Sequence, residues 1–456
     1  MTEIKYIYEN KEYNNILQKI ISKNVNVNDI NKYYLNINLQ KKDKNKIVDF
    51  LTGLDNSTIH SKKNILEKLD YLKKDLQKDF CKYILNYLIG YRELTLLIDD
   101  DNLEEIMINN YNEIFVITRK NEHYKTDVSF TEKNYELLLK KIKKTISKDF
   151  IDRDFIDGIL PDNSRINIVS KNISKFNLIT IRKFLKRPLT IVDLINNKTI
   201  NYEVAAYLWI VIDGLKIKPA NLFVCGGTST GKTTFLNILL HFISKDNRVI
   251  GVEDTREIDI SMFENNVSLV SNIADPDSLY NITINILRMR PDRIIIGETR
   301  GKEAKALFMA MDTGHQGCLS TIHANNSVDL VDKLVSSPMN IETVYIKLLN
   351  VIITVNKKII DGKIYRYVSE ITEIKRIGNI TFNNVYLNDN VESESKVNFM
   401  SSHFLEEICD KLNISKNKLK EIIENRIRTL RLIVEKNITD IKEIREILLE
   451  NNREIF

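Results

Sequence analysis

Nine residues, Gly226-Gly227-Thr228-Ser229-Thr230-Gly231-Lys232-Thr233-Thr234, carry the spacing G-x-x-x-x-G-K-T that cradles phosphates. Glycines let backbone N–H groups turn inward at phosphate oxygens, and a helix starting at Lys232 or Thr233 adds the partial positive charge of its N-terminus. Lys232 supplies a point charge for the β- and γ-phosphates, and the Thr233 hydroxyl a ligand for Mg²⁺. The expected chemistry is binding of a nucleoside triphosphate, ATP with Mg²⁺. This loop serves kinases, GTPases, helicases and motors alike, so the residues after it must decide among them.

Two carboxylates and two histidines follow. Val252-Glu253-Asp254-Thr255-Arg256-Glu257 ends an apolar run, and a carboxylate at that strand end can orient or deprotonate an attacking water. Arg293-Ile-Ile-Ile-Gly-Glu298 has the form of a Walker B strand. Glu298 is expected to hold the Mg²⁺ shell or to share the base role with Glu253; which of the two is the base stays open here. Residues 313–325, TGHQGCLSTIHAN, bring two of the six histidines, His315 and His323, into one glycine-bearing segment. Both are read as sensors of the γ-phosphate.

These groups need a scaffold that puts several strand ends side by side. Eight of the 14 glycines lie between Gly226 and Gly317, about a fifth of the chain, which concentrates the chemistry there. Residues 221–225, 248–252, 293–296 and 319–322 are short apolar runs between helical stretches, the pattern of a mostly parallel sheet buried on both faces. Residues 351–355 and 364–374 continue the sheet. Upstream, 105–109 and 113–116 read as a hairpin, 134–146 as a helix, and 165–169 and 178–182 as strands. The expected organisation is a helical, partly flexible region 1–90, an α+β domain 91–185, a linker 186–201 around Pro188, an α/β core 202–375, and a mainly helical region 376–456. In the last region Leu419, Ile422, Ile423, Ile427, Leu430 and Ile433 form one packing stripe, and Asp440 with Glu443 can box the start of a final helix.

Composition narrows the partners. With 67 basic and 62 acidic residues, the net charge of +5 is too small and dispersed to argue for nucleic acid; the Lys-rich run 41–46 reads as solvated surface. Cys81, Cys225, Cys318 and Cys409 match no metal or redox spacing and fit a reducing, cytoplasmic compartment. The polar first residues are not a signal peptide, and no apolar run approaches the roughly 18 residues of a membrane span. Membrane association is therefore expected only through partners.

In this order and spacing, the four segments resemble the Walker A, Asp box, Walker B and His box of the type II/IV secretion ATPase superfamily, which drives secretion, pilus and archaellum machines. Residues 94–99 (LTLLID) and 104–110 (EEIMINN) resemble the start of that family's N-terminal domain, and 161–167 (PDNSRIN) and 180–184 (TIRKF) its two arginine-bearing strands. The wording LRMRPDRIIIGETRG and TGHQGCLSTIHAN is closest to the CpaF-like ATPases of Tad/Flp pili. The resemblance covers roughly residues 91–375. Thr299, where an apolar residue is usual, and Thr230, where Ser is common, depart from it without removing a phosphate contact. The tetracysteine zinc motif of many type II secretion and pilus extension ATPases is missing, which argues against those branches.

The resemblance implies a RecA-like core behind a small PAS-like domain, ATP hydrolysis with Mg²⁺, and a homo-hexameric ring. It also implies a place at the inner face of the cytoplasmic membrane, on an inner-membrane platform protein, with no direct contact to nucleic acid. It places Arg165 near the phosphates, Arg182 near the nucleotide, and Arg288 and Arg290 across a subunit boundary. A type IV secretion ATPase for DNA or protein export is an alternative within the class, and a weakly hydrolysing scaffold is one outside it. The Asp and His boxes disfavour a soluble helicase or nucleotide kinase.

Overall fold

The computed structural model describes residues 3–4 and, from 91 to 451, all but 92–93, 120–121, 147–152, 185–187, 273–274, 276, 361–362, 378 and 391–394. Apart from Glu3–Ile4, which form a short strand, the helical reading of 1–90, with its Lys-rich run and Cys81, lies outside the described residues. The chain divides into two units, the first ending at Arg187 and the second beginning at Pro188.

Alternation of apolar residues builds the first unit. Its elements are β1 (Glu3–Ile4), α1 (Leu94–Asp99), β2 (Leu103–Asn110), β3 (Glu113–Thr118), β4 (His123–Thr126), α2 (Glu132–Ile146), β5 (Phe155–Ile159), β6 (Arg165–Val169) and β7 (Leu178–Arg182). Among the described residues the strands form one sheet in the order β1-β4-β3-β2-β7-β6-β5. Ile106, Ile108, Val116, Ile166 and Ile181 recur every second residue along their strands, so all point to one face, where Leu138 and Ile142 of α2 cover them. Each such burial contributes about 1.5–3 kcal/mol. The expected hairpin is present, its Asn-rich turn closed by the Asn112 N–H donating to Asn110 Oδ1 at 2.9 Å.

The second unit contains α3 (Ile191–Asn196), α4 (Tyr202–Asp213), β8 (Leu222–Gly226), α5 (Lys232–Leu239), β9 (Val249–Glu253), β10 (Asn266–Val270), α6 (Ser278–Ile286), β11 (Arg293–Thr299), α7 (Glu303–Asp312), β12 (Leu319–His323), α8 (Ser327–Val335), β13 (Val351–Ile360), β14 (Lys363–Ile377), β15 (Asn379–Leu387), α9 (His403–Leu412), α10 (Lys416–Glu435) and α11 (Ile441–Asn451). Its sheet runs β10-β9-β11-β12-β8-β13-β14-β15, parallel from β10 to β13 and antiparallel beyond. This is the mostly parallel sheet expected from the apolar runs, in the RecA-like α/β arrangement that the resemblance implies. Every residue of β8 and β9 is buried, as strands covered on both faces must be.

Two boundaries differ from the sequence reading. The span 186–201 holds α3, which begins at a Thr190–Asp193 capping box and buries Ile191 and Val192, so ordered core structure starts well before 202. The sheet also continues past 375 into β15, whose alternating polar residues masked its strand character. The stripe Leu419, Ile422, Ile423, Leu430 and Ile433 packs into the core that contains α4. Glu373 on β14 ties these layers together: its carboxylate accepts from the Tyr207 hydroxyl at 2.7 Å, the His403 N–H at 2.7 Å and the Phe404 N–H at 3.3 Å. The Glu443 N–H donates to Asp440 Oδ1 at 3.0 Å, one half of the expected box. No described helix is long and apolar enough to cross a membrane.

Candidate nucleotide site

The loop between β8 and α5 leaves its amides open. The backbone N–H groups of residues 227–231 donate to no described residue. Gly231 stands at φ +86° and opens α5 with no side-chain cap, so the first N–H groups of that helix are unspent as well. Ser229 also takes a positive φ, +60°, a conformation that a non-glycine residue holds only where its surroundings fix it. The Gly227 carbonyl accepts from Thr230 Oγ1 at 3.0 Å and Lys232 Nζ at 2.9 Å. Consecutive unspent amides in such a loop make an anion nest.

Strand register brings the other groups to this loop. His323, the last residue of β12, pairs with Gly226, the last of β8. The register of β11 against β12 shifts between Ile296 and Thr299, a bulge that re-aims Glu298. Thr321 Oγ1 donates to the Gly297 carbonyl at 2.7 Å, and the Thr299 and Ser320 hydroxyls meet at 2.7 Å, which gives the unusual Thr299 a buried partner. The result is a chain of contacts. Lys232 Nζ lies 3.2 Å from His323 Nδ1, His323 Nε2 lies 3.1 Å from Glu298 Oε1, and Arg300 donates to Glu298 Oε2. Lysine can only donate, so Nδ1 accepts and the proton of the neutral ring sits on Nε2, facing the carboxylate. Burial lowers the pKa of His323, and the Lys232 charge adds to this. Burial lowers the pKa of Lys232 too, against the pull of Glu298. Burial alone would raise the Glu298 carboxyl, but Arg300, His323 and Lys232 outweigh it and hold it below its ordinary value.

Glu253 sits differently. It is buried, its Oε1 accepts from the Glu257 and Ile258 N–H groups, both at 3.0 Å, and its Oε2 accepts from the Ile258 N–H at 3.1 Å. A Cβ on Gly297 would come within 2.8 Å of its Cγ, so the glycine of the Gly-Glu pair makes room for Glu253. Its carboxylate, spent on backbone donors, positions the 254–258 loop.

His315 requires a correction. The sequence groups it with His323 as a phosphate sensor, but it precedes Leu319, the first residue of β12, whereas His323 is the last. The five-residue strand, at about 3.3 Å per residue, separates the two ends by roughly 13 Å. His315 Nδ1 instead contacts the Ala310 carbonyl at 3.2 Å. Proximity in sequence misled because the segment between the two histidines is extended. Arg288 and Arg290 lie at that same far end, before β11, and are exposed.

In the first unit, Arg165 and Arg182 are directly paired across β6 and β7. Glu104 stands 3.9 Å from Arg182 and offsets part of its charge.

One residue at the loop gave no sequence signal. Arg366, on β14, donates from Nε to the Ser229 carbonyl at 3.3 Å, and a Cβ on Gly231 would lie 3.4 Å from its Cδ. It ties down a carbonyl of the loop. Arg366→Ala is expected to weaken ATP binding about tenfold, the loss of roughly one hydrogen bond, without unfolding the chain. Arg366→Lys, lacking the Nε geometry, should not restore it. Calorimetric titration checks both, and unchanged affinity removes the role.

A family model described as Type II/IV secretion system protein matches residues 91–361. Among curated proteins, the uncharacterized protein MJ0781 of Methanocaldococcus jannaschii is 40% identical over 248 residues, 52% of this chain and 34% of that protein. MJ0900 of the same organism is 35% identical over 312 residues, 66% of this chain and 55% of that protein. The chain thus spans about half the length, or less, of these relatives. The conjugal transfer protein TrbB of Rhizobium radiobacter is 30% identical over 247 residues, 53% of this chain and 74% of that protein. The Legionella pneumophila ATPase DotB aligns with 79% of this chain and 94% of its own at 16% identity, with a TM-score of 0.46.

Proposed function

The chain belongs to the type II/IV secretion system protein family, and from that premise we propose that it is an ATP-hydrolysing motor, working as a homo-hexameric ring, that powers assembly of a Tad/Flp-type pilus. The observation that carries the nucleotide part of this reading is the loop 226–234, with its unspent amides beside the Lys232–His323–Glu298 chain. Thr233, whose hydroxyl has no hydrogen-bond partner among the described residues, and the ionised Glu298 are the oxygen ligands that would hold Mg²⁺. The metal supplies charge neutralisation for the phosphates. Lys232 takes the β- and γ-phosphates, and Glu298 orients and deprotonates the attacking water. A γ-phosphate that draws Lys232 away from His323 changes what the imidazole contacts, so His323 reports whether that phosphate is present. Arg165 and Arg182 carry the planar, permanently charged forks suited to phosphate, and the exposed Arg288 and Arg290 serve contacts across subunits.

The ring works at the cytoplasmic face of the membrane on an inner-membrane platform protein, without direct contact to nucleic acid. The similarity to TrbB favours a second reading in which the same motor serves export of DNA or protein. Recovery of membrane partners by pull-down separates the two: pilus platform proteins support the first reading, conjugation channel proteins the second. For the enzyme itself, purified chain is expected to show Mg²⁺-dependent ATP turnover that rises as rings assemble. Tight ATP binding with no turnover in any assembled state would leave a scaffold and end the motor reading.

A further inference from the structure

The end of the parallel sheet opposite the phosphate loop holds a second cavity, of about 570 Å³, lined by Asp213, Asn247, Arg293, Thr313, His315 and Gln316 among others. Arg293 is only 5% exposed. Its Nε donates to Asn247 Oδ1 at 3.0 Å, but its two Nη nitrogens donate to no described residue, and it forms no ion pair among the described residues. Asp213, in the same cavity, is already engaged: Oδ2 accepts from Arg426 at 2.6 Å and Oδ1 from the Leu215 N–H at 2.8 Å. Asp292, also on the lining, is exposed, and its Oδ2 accepts from the Arg248 N–H at 2.7 Å. Burial pushes Arg293 down to about 10, so it remains a cation at neutral pH. Gly317, at φ +69°, is what admits it, since a Cβ there would stand 1.7 Å from Nη1.

A buried guanidinium with unspent donors is costly unless an anion takes them. Its planar fork fits two oxygens of one oxyanion. The exposed Thr313 hydroxyl and Gln316 amide stand at the same lining, with Lys216 adding positive charge. We infer that this cavity is a second anion site, separate from the phosphate loop, that takes a phosphate or carboxylate group of a small ligand on Arg293. His315, misread as a sensor of the γ-phosphate, belongs to this site.

The phosphate loop itself attracts phosphate, so the test uses the full chain carrying Lys232→Ala. Inorganic phosphate and acetate are titrated separately at constant ionic strength, followed by calorimetry and, for phosphate, by ³¹P line broadening. One anion is expected to bind per chain. Phosphate as the tighter probe indicates a phosphate-bearing ligand, and acetate a carboxylate. Adding Arg293→Gln should weaken binding at least tenfold. Gln316→Glu, at an exposed position that should not disturb folding, should weaken it by repulsion. The site is overturned if the Lys232→Ala chain binds neither probe up to about 10 mM, or if Gln316→Glu and a folded Arg293→Gln bind as tightly as their parent. The readout is anion binding without turnover, so failure here leaves the motor reading intact, and failure of that reading leaves this site intact.

Discussion

ATP turnover is expected to fall by about 10²- to 10⁴-fold in Glu298→Gln while ATP remains bound. Gln keeps the shape and can still accept from Arg300, but it cannot take a proton from water or hold Mg²⁺ with a full charge. The carboxylate stands 3.1 Å from His323 Nε2, and its cationic neighbours keep its pKa below the ordinary value despite burial. The ionised form is therefore present at neutral pH and is lost only as pH falls through that lowered value. The parent's acid limb should lie below the usual carboxylate range, and the variant should lack it. Lys232→Ala, by contrast, should lose nucleotide binding itself. Steady-state rates and ATP affinities measured on both variants separate the roles, and near-parental turnover in Glu298→Gln sinks the assignment. Glu253→Gln is the informative control. Its carboxylate holds the backbone of Glu257 and Ile258, so turnover lost there arises from a displaced loop.

Arg426→Met is expected to cost the second unit about 3–5 kcal/mol, because it strands Asp213 as an uncompensated buried charge. The two side chains are 1% and 2% exposed and 2.6 Å apart, and Arg426 also lies over the Trp209 ring at 4.5 Å. Burial raises the pKa of Asp213 against the pull of Arg426 and lowers that of Arg426 against Asp213, so each ion resists its charged form and holds it only through the other. The double variant Asp213→Asn with Arg426→Met should recover most of the loss, since Asn still accepts the Leu215 N–H and no charge remains buried. Urea unfolding of the single and double variants measures this. At about 2–4 °C per kcal/mol, the single variant should melt roughly 10 °C lower. A single-variant cost below about 1 kcal/mol would mean that water reaches the pair.

Local chemistry was readable wherever it is repeated along the chain or fixed by spacing. The loop 226–234 declares itself, because glycines, lysine and threonine must stand at set intervals for amides to surround a phosphate. The four apolar runs marked four of the six parallel strands among the described residues, since a strand covered on both faces has no polar side to confuse the pattern. Three other strands were not legible. β4, β5 and β10 mix polar and apolar residues because they lie near or at sheet edges, where half of each strand meets water. Equally, nothing in 186–201 announced a buried helix, as six residues are too few for a helical period to emerge.

By itself, then, the sequence determined the phosphate loop, the strands that flank it and the residue types able to do chemistry on a nucleotide. Tertiary structure alone decided which of those residues meet. Register set His323 beside Gly226, and a bulge turned Glu298 toward it. The same extended strand carried His315 to the opposite end of the sheet, into the cavity of Arg293. Packing joined Asp213 to Arg426, 213 residues away. The reason is physical: a loop's conformation follows from its own backbone, but a contact between distant side chains depends on how whole elements are stacked, and no local spacing encodes that.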